Sequence, residues 1–463
     1  MTAPVLVWLR QDLRLADQPA FRAAAEQGPV IPVYILDDET PGHWAIGGAQ
    51  RWWLHYALAS LGADLEARGS RLILRRGRAA DEVARVAEEL GAREVHALRH
   101  YEPWWQQAER DVAARLDLRL HDGIQLHPHR EVRALSGQPF RVFAAYWRAL
   151  QKHLPPPEPQ PAPGGLDMPE RWPESDALES WSLLPTRPNW AREFPDHWQP
   201  GEAGAIAKLE RFADGVPAYA ERRNLPSDEG GTSALSPHLH HGEISPAAVF
   251  HRAAHHGREV VDKFLKELTW RDFTLNLVDQ FPTYGDEHVR PVFAKLPFRD
   301  HEGEAATDLR AWKCGETGYP IVDAGMRQMW RTGWMHNRVR MITASFLVKH
   351  LLIDWRVGAH VFWDRLVDAD YANNSFSWQW IAGSGFDPNA WGRIMAPLTQ
   401  SAKFGAADYI RRWVPELSGL TDEEIHDPDA FGVRPSAYPA KIIDHREGRA
   451  RALKAGRALA KAA

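Results

Sequence analysis

The sequence predicts an α/β N-terminal domain, built on a doubly wound, Rossmann-like parallel sheet, followed by an all-α C-terminal domain. Up to about residue 130, short β-type runs alternate with helical ones; from about Gly201 the apolar spacing is helical and no convincing strand occurs. Between these parts, eight prolines from Pro155 to Pro173 favour an extended connector. The predicted domains are therefore residues 1–130, a connector over 131–200, and residues 201–463.

The N-terminal strands have strong β propensity and regular spacing. They are VLVWLR, VIPVYIL, RLILRR, EVHALR and LRLHD. The helices between them are predicted from Pro19 onwards, then over 49–68, 80–90 and 104–116. No GxGxxG follows the first strand, so the dinucleotide-binding fingerprint is absent. In the helical part, Ser236-Pro237 and Ser245-Pro246 mark helix starts, and an Ala- and Lys-rich segment from Glu447 predicts a terminal helix.

Composition restricts the class of protein. An apolar content of 44% and a charged content of 25% are typical of a soluble globular protein. The single cysteine, Cys314, excludes a disulfide framework and a cysteine zinc cluster. No segment has the length and apolarity of a membrane span or a secretory leader, so we expect a cytoplasmic protein. A net charge of -5 argues against indiscriminate nucleic-acid binding and requires any such contact to come from a local patch.

The stretch from Arg327 to Arg356 is such a patch in sequence. It contains six Arg or Lys against one acid, Asp354, with Trp330, Trp334 and Trp355 interleaved. A basic, aromatic face suits a polyanion with stackable rings. Asn337 and Met341 are four residues apart and share one side of a predicted helix, with Arg340 beside them, as in a pocket wall.

Three further motifs have both a functional and a structural interpretation. Hydroxyls at 232–236 before a Ser-Pro can hold a phosphate at a helix start, but N-capping explains the same residues. Glu267, Trp270 and Arg271 share one helical face, which a binding site would require. A structural Glu-Arg pair over a core tryptophan would have the same spacing. For the set His238, His240, His241 and Glu243 we predict no metal, because neighbours on a helix do not all face one way.

Several ordered motifs resemble the DNA photolyase and cryptochrome family, specifically the photolyases that repair cyclobutane pyrimidine dimers. They are WLRQDLRLADQPAF, YAERRNLPSDEGGTSALSPHLHHGEISP, FLKELTWRDF, the segment from Lys313 to Arg356, and ANNSFSWQWIAGSG. The resemblance implies a deoxyribodipyrimidine photolyase whose 201–463 domain binds FAD. In such an enzyme, light drives an electron from reduced FAD to a flipped-out dimer in damaged DNA. We expect a monomer with damaged DNA as its partner.

The resemblance also assigns roles to individual residues. It implies cofactor-binding roles for Tyr219, Arg223, Thr232, Ser233, Leu235, Ser236, Arg271, Arg340, Asp368, Asp370 and Asn374. It implies catalytic roles for Glu267, Asn337 and Met341; lesion or DNA contacts for Trp270, Trp380, Arg338 and Arg393; and electron transfer for Trp378 and Trp355. A buried Glu267 carboxyl, kept neutral, would donate a hydrogen bond to the dimer. Arg340 with Asp368 resembles the ion pair beside the flavin ring.

The chain departs from the family pattern at two places. The distal electron-relay position falls on Glu302 instead of tryptophan, so either Trp330 or Trp312 ends the relay or photoreduction is less efficient. At the usual folate antenna site the chain reads Tyr101-Glu102-Pro103-Trp104-Trp105, without the expected Asn-Glu pair. A deazaflavin, a folate bound elsewhere and no antenna all stay open.

Two other functions compete with repair. A cryptochrome-type photoreceptor would use the same flavin for signalling, but the resemblance places Asp in plant cryptochromes and Cys in animal ones where this chain has Asn374. A dark flavin oxidoreductase has no nicotinamide fingerprint to support it. The pair His336-Asn337 favours the cyclobutane dimer, because (6-4) photolyases carry two histidines there.

Overall fold

The computed structural model describes residues 3–300, 302–386 and 391–462. The chain forms two compact units, each assembled from several chain segments. Unit 1 comprises Met1–Pro217, Ser233–Pro282 and Val367–Ala372; unit 2 comprises Ala218–Thr232, Thr283–Leu366 and Asn373–Ala463. These units follow packing, and the domain boundaries expected from composition stay a prediction.

Unit 1 contains a five-stranded parallel sheet in the order β3-β2-β1-β4-β5. Its strands are β1 Val5–Leu9, β2 Val30–Leu36, β3 Ile73–Arg76, β4 Glu94–Leu98 and β5 Asp117–His121. In the register of the central pair, Val5 lies opposite Val30. Every residue of β1 and β2 is buried, as expected for the apolar strands of a sheet covered on both faces.

The helices that connect the strands follow the sequence pattern closely. They are α1 Pro19–Ala25, α2 Gly48–Glu66, α3 Ala79–Leu90 and α4 Pro103–Ala113. Proline stands at the first position of α1 and of α4, where its missing N–H is not needed, and Gln18 accepts a hydrogen bond from the Ala20 backbone. The predicted α/β class is confirmed.

After β5, the regular secondary structure of the described chain is helical. Its helices are α5 Phe143–Leu150, α6 Glu202–Ala213, α7 Tyr219–Arg222, α8 Ser236–His240, α9 Pro246–Ala254, α10 Asp262–Gln280, α11 Gly303–Cys314, α12 Pro320–Thr332, α13 Asn337–Ser345, α14 Trp355–Arg365, α15 Tyr371–Ala382, α16 Pro397–Lys403, α17 Ala407–Trp413 and α18 His445–Ala462. A π-helical turn, Phe346–His350, extends α13. No strand follows β5 within the described residues, so the predicted all-α C-terminal part is confirmed.

The proline-rich segment forms neither helix nor strand over 155–173, as predicted. Backbone hydrogen bonds hold it within unit 1: the Asp17 N–H donates to the Gln160 carbonyl at 2.7 Å, and the Leu166 N–H donates to Arg68 at 3.3 Å. Within the described part of the chain, the helices are too short or too polar to span a bilayer.

Candidate functional site

The face of α10 that carries Glu267, Trp270 and Arg271 is set by contacts within unit 1. Trp270 stacks on Phe143, with ring centroids 3.6 Å apart and planes 8° from parallel. Arg271 donates to the carbonyls of Ile124 and Leu239, each at 3.1 Å. The stack orients the indole, and the two carbonyls hold the guanidinium in place. Sequence reasoning missed Phe143, because nothing in the local pattern pairs it with a residue so distant in the chain.

The expectation that the Glu267 carboxyl is buried is wrong. Its side chain is 24% exposed, and Lys263, one turn earlier on α10, pairs with it at 2.8 Å. Such an (i, i+4) pair forms because residues four apart lie above one another on a helix. The lysine was visible in the sequence, and its spacing was the signal that could have identified this partner.

The 233–236 segment forms a tight turn that leads into α8. The Leu235 N–H donates to Ser233 Oγ at 3.3 Å, and Ala234 between them has a positive φ of 47°. Ser236 Oγ donates to Asp368 Oδ2 at 2.6 Å, which brings two of the predicted cofactor-binding residues together. Asp368 is buried, whereas Ser236 itself is exposed at the helix start.

A buried polar cluster surrounds Asp370, another predicted cofactor-binding residue. His240 Nδ1 lies 3.8 Å from Asp370 Oδ2. Burial, and then the Asp370 carboxylate, raise the pKa of Glu102 to about 7. Burial, and then Arg10, lower the pKa of His100 well below its usual value. Sequence reasoning did not predict this buried cluster, since only tertiary packing brings Asp370 close enough to affect the pKa of Glu102.

The remaining histidines of this region each have a separate protein partner. His238 Nδ1 lies 2.5 Å from the Glu243 carboxylate, which also accepts a hydrogen bond from Trp53 Nε1 at 2.9 Å. His241 Nε2 lies 3.1 Å from the Val367 carbonyl. Over residues 3–300, 302–386 and 391–462, the structure contains no group of three or more potential metal ligands.

In unit 2, α13 presents Asn337 and Met341 one turn apart. Asn337 is exposed at the first helical position, and Met341 is half-buried. Arg338 Nη1 lies 3.6 Å from Met341 Sδ, and Nη2 donates to Asn224 Oδ1 at 2.7 Å. His336 caps the helix by accepting from the Arg338 N–H at 3.2 Å. Asn337 and Met341 thus share a helix side, as the sequence indicated.

Charge at the start of α13 is controlled by burial. Burial, followed by the cations Arg338 and Arg340, lowers the pKa of His336 to about 4. His336 is therefore neutral at physiological pH and can accept the capping hydrogen bond. Arg340 Nε donates to the Met335 carbonyl at 2.7 Å, which fixes its stem.

The expected single basic face between Arg327 and Arg356 is wrong. Arg327 pairs with Glu416 at 2.7 Å, and Arg356 pairs with Asp354 at 2.5 Å. Lys349 is fully buried, and burial lowers its pKa well below the usual value. The helical turns between these positions point their side chains in different directions, so the cations do not share one surface.

The helix α15 carries three predicted site residues. Asn374 Nδ2 donates to the Ala359 carbonyl at 3.1 Å, which fixes its amide within unit 2. Trp378 is 2% exposed, while Trp380 is half-buried. Residues two apart on a helix lie roughly 200° apart, so these tryptophans point to opposite sides.

The residue between the two tryptophans fixes the rotation of α15. Gln379 is fully buried. Its Nε2 donates to the carbonyls of Tyr284 at 2.7 Å and Glu287 at 2.8 Å. Its Oε1 accepts from the Val289 N–H at 3.1 Å and from Ser384 Oγ at 3.2 Å. All four bonds are satisfied in a site without solvent, so a rotated helix would leave buried polar groups unpaired.

The tryptophans near Trp378 include the residues predicted to form the electron relay. Trp312 lies edge-on to Trp378 with centroids 6.4 Å apart, and Trp312 is completely buried. Trp355, the second predicted relay residue, is also buried and donates from Nε1 to His288 at 3.2 Å. Trp330 is 48% exposed, and Glu302 directly precedes α11. Of the two alternative relay ends, only Trp330 reaches the surface.

The remaining predicted residues of unit 2 lie in short or irregular segments. Tyr219 begins α7, and the Arg223 guanidinium lies 5.4 Å from its ring centroid. Thr232 is extended and half-buried. Arg393 is exposed in the loop before α16.

Comparisons with known proteins identify the family. Residues 5–164 match the family model described as DNA photolyase, and residues 264–458 match the FAD binding domain of DNA photolyase. The chain is 46% identical to a deoxyribodipyrimidine photo-lyase of Agrobacterium fabrum, over 99% of both chains. It is 34% identical to Cryptochrome-1 of Arabidopsis thaliana, over 96% of this chain and 69% of that protein.

A solved structure shows the same relationship. A bacterial class III photolyase from Agrobacterium tumefaciens superimposes with a TM-score of 0.93 at 45% identity, covering 100% of this chain and 98% of that chain. The fold is therefore that of a flavoprotein with an α/β part and a helical part. The chain belongs to the DNA photolyase family. The family resemblance, the fold class and FAD as the cofactor, all predicted from the sequence, are confirmed.

Proposed function

We propose that this protein is a deoxyribodipyrimidine photolyase that repairs cyclobutane pyrimidine dimers in DNA. The observation that carries the proposal is the complete set Glu267, Trp270, Asn337, Met341 and Trp380 in a chain that matches a relative named deoxyribodipyrimidine photo-lyase over 99% of its length. When bound and reduced, FAD supplies the light-absorbing centre and the electron that opens the cyclobutane ring and then returns.

The residues present fit FAD. The Ser236–Asp368 hydrogen bond joins a hydroxyl at a helix start to a buried carboxylate, a donor and acceptor pair suited to a phosphate-bearing, polyhydroxylated ligand. Further proposed cofactor-binding residues supply guanidinium, hydroxyl, carboxylate, amide and apolar groups; these are Tyr219, Arg223, Thr232, Ser233, Leu235, Arg271, Arg340, Asp370 and Asn374. The Asn374 amide, held by Ala359, would hydrogen-bond the central ring. An Arg340–Asp368 ion pair stays part of the proposal.

The lesion is bound by aromatic and polar side chains. Trp270, already stacked on Phe143, would present its indole to one pyrimidine ring, and Trp380 would stack on the flipped dimer. Glu267, Asn337 and Met341 would contact the pyrimidine edges. Because Glu267 is paired with Lys263, its carboxyl group would exchange Lys263 for the dimer when it forms the proposed hydrogen bond.

DNA backbone contacts are proposed for Arg338 and Arg393. Arg393 is exposed, and Arg338 is held by Asn224 beside Asn337. Phosphate contacts position the duplex and carry no sequence information, which suits an enzyme that must act wherever a dimer forms. The same contacts make binding weaken with salt.

Electron supply, location and assembly complete the proposal. Trp378 and Trp355 would reduce the bound flavin, with Trp312 or Trp330 in place of the missing distal tryptophan.

We further propose a cytoplasmic monomer with the domain limits 1–130, 131–200 and 201–463. For the antenna, a deazaflavin, a folate bound elsewhere than at the usual site, and no antenna all stay open.

A cryptochrome-type photoreceptor is the second candidate, favoured by the 34% identity to Cryptochrome-1 of Arabidopsis thaliana. Asn374 distinguishes the two, because it resembles the photolyases at that position.

The deciding experiment measures loss of dimers in an oligonucleotide that carries one cyclobutane dimer. Purified protein with reduced flavin is mixed with it under blue light and in the dark, and the thymine absorbance band is followed. Light-dependent recovery supports repair. If FAD is bound but no dimer is lost in either condition, the photolyase proposal is wrong and the photoreceptor candidate takes its place.

A further inference from the structure

The last helix, α18, carries a strongly basic surface that the proposed repair chemistry does not use. Its sequence, HREGRARALKAGRALAKA, contains six Arg or Lys and a single acid, Glu447. Glu447 pairs with Arg451 at 3.2 Å, so the one negative charge is already neutralised. The other cations are exposed; they are Arg446, Arg449, Lys454, Arg457 and Lys461.

Helical geometry places these five cations, named here the α18 basic face, on one side. At 3.6 residues per turn they fall within an arc of roughly 140°. Within the described residues, none of the five forms an ion pair with a carboxylate. In a chain whose formal net charge is -5, this concentration of unpaired positive charge produces a local field of the opposite sign to that of the whole protein.

The opposite side of α18 is anchored to the body of unit 2. Ala455 and Leu459 pack in an apolar cluster with Phe293, Leu296 and Leu352. Trp391 Nε1 donates to the Ala452 carbonyl at 2.8 Å. A Cβ at Gly448 would lie 2.9 Å from His350, so the helix approaches its neighbours too closely for a larger residue there. The basic face is therefore held on a docked helix, which lowers the entropy cost of binding.

The α18 basic face adjoins the loop that carries Arg393. A Cβ at Gly392 would lie 3.8 Å from Leu453, which falls within the same arc of the helix as the basic face. Arg393 follows directly and is exposed. The loop residue next to Arg393 thus approaches α18 within unit 2.

We propose that the α18 basic face binds the phosphate backbone of duplex DNA, as an extension of the DNA-binding surface beyond the lesion contacts. This inference rests on the proposed function. From Arg446 to Lys461 the helix spans roughly 23 Å at 1.5 Å per residue. B-DNA presents about one phosphate charge per 1.7 Å of axis, so about a dozen phosphates lie within that length. The face has no aromatic or amide groups to read bases and would bind undamaged and damaged duplex alike.

The test is a quadruple variant, Arg446→Gln, Arg449→Gln, Lys454→Gln and Arg457→Gln. Glutamine keeps helix propensity close to that of Arg and Lys, and none of the four residues touches the apolar cluster. The matched control removes the same charge from exposed cations of unit 1, as Arg71→Gln, Arg78→Gln, Arg93→Gln and Arg258→Gln. Both keep all residues assigned to FAD, the lesion and electron transfer.

The measurement is the affinity of the full-length holoprotein for an undamaged duplex, at salt concentrations between roughly 50 and 200 mM. Because the quadruple variant neutralises four fewer phosphates, the slope of log K against log salt becomes shallower by about 3.6, and binding at low salt weakens at least about ten-fold. The control keeps the wild-type slope. Equal slopes in variant and control overturn the inference.

Further measurements distinguish a folding failure, a failure of the proposed repair function and membrane binding from a failure of this inference. If the quadruple variant does not fold, the pair Arg449→Gln and Arg457→Gln is measured, with an expected change in slope of about 2. Dimer repair by wild-type protein is assayed in parallel, so a failure of the proposed reaction is seen independently of the slope. Binding to phosphatidylserine vesicles that is lost in the variant, with an unchanged DNA slope, would assign the face to membranes and overturn the inference.

Discussion

Phe143 and Trp270 stack face to face, with ring centroids 3.6 Å apart and planes 8° from parallel. Phe143 lies on α5 and Trp270 on α10, so the stack joins two helices of unit 1. It covers one face of the indole and restricts its orientation.

Removing this stack should weaken recognition of the lesion. We expect Phe143→Ala to raise the dissociation constant for dimer-containing DNA about three- to ten-fold, since an aromatic pair contributes roughly 0.5–1.5 kcal/mol beyond burial. Flavin content and the repair rate at saturating DNA should not change. Binding titrations with and without a dimer, compared with Phe140→Ala, test this; equal affinities in the two variants would show that the stack has no such role.

Glu267 provides a second test. Glu267→Ala should lower light-dependent repair at least about ten-fold, because it removes the hydrogen-bonding group, and the loss of one preorganised group at a reacting centre costs a few kcal/mol. FAD content, measured from the visible spectrum, should stay at the wild-type level. The control, Lys263→Met, removes the ion pair alone, which for an exposed pair contributes under about 1 kcal/mol. Full repair by Glu267→Ala would remove this residue from the site.

Stability should depend on pH through Glu102. Burial, and then Asp370, raise the pKa of Glu102 from its ordinary 4.5 to about 7. Between these values the folded protein holds a proton that the unfolded chain has released. The free energy of unfolding therefore falls as pH rises from about 4.5 to about 7, by up to about 3 kcal/mol, and stays lowered above that range.

The variant Glu102→Gln should not show the part of this pH-dependent fall in the free energy of unfolding that comes from Glu102. Relative to wild type it should be more stable at about pH 8 than at about pH 5, with urea unfolding as the measurement. Asp272, whose pKa burial also raises to about 7, is present in both proteins and cancels in the comparison. The exposed Glu66→Gln is the control. A difference between wild type and Glu102→Gln that does not vary with pH would contradict the expectation.

Photoreduction should depend on the buried tryptophans of unit 2. Trp378→Phe should slow light-driven reduction of bound flavin by an external donor at least about ten-fold, because phenylalanine is far harder to oxidise. Trp312→Phe should slow it to a smaller extent, since Trp312 lies beside Trp378. Repair by chemically reduced enzyme should be unaffected in both. Trp413→Phe, at a buried tryptophan of α17, is the control; loss of photoreduction there would show an indirect effect.

The fold could be predicted from the sequence where the information is local. The five strands and their helices agree with the predicted ones within a few residues because alternating β and helical runs depend on neighbouring side chains. The start of α8 at Ser236 followed from a Ser-Pro pair for the same reason.

Site residues could be predicted from the sequence only where they belong to a recognisable motif. Burial of Lys349 and the Arg327–Glu416 pair depend on packing between distant segments, so the supposed basic stretch was mistaken for a surface. Glu102 was noticed for its place in a motif, but its environment depends on Asp370, which lies more than 100 positions away in the chain. The roles of individual residues that come from family resemblance stay predictions.

The four hydrogen bonds of Gln379 also limit how this protein can evolve. Inserting one residue before position 379 would turn everything after it by about 100°, so the two flanking tryptophans could not keep their separate environments. A change in the length of α15 that moves Trp380, for which we propose a DNA contact, would therefore also change its position relative to Trp378. Adaptation by insertion or deletion is left to the surrounding loops, while α15 can change only by substitution.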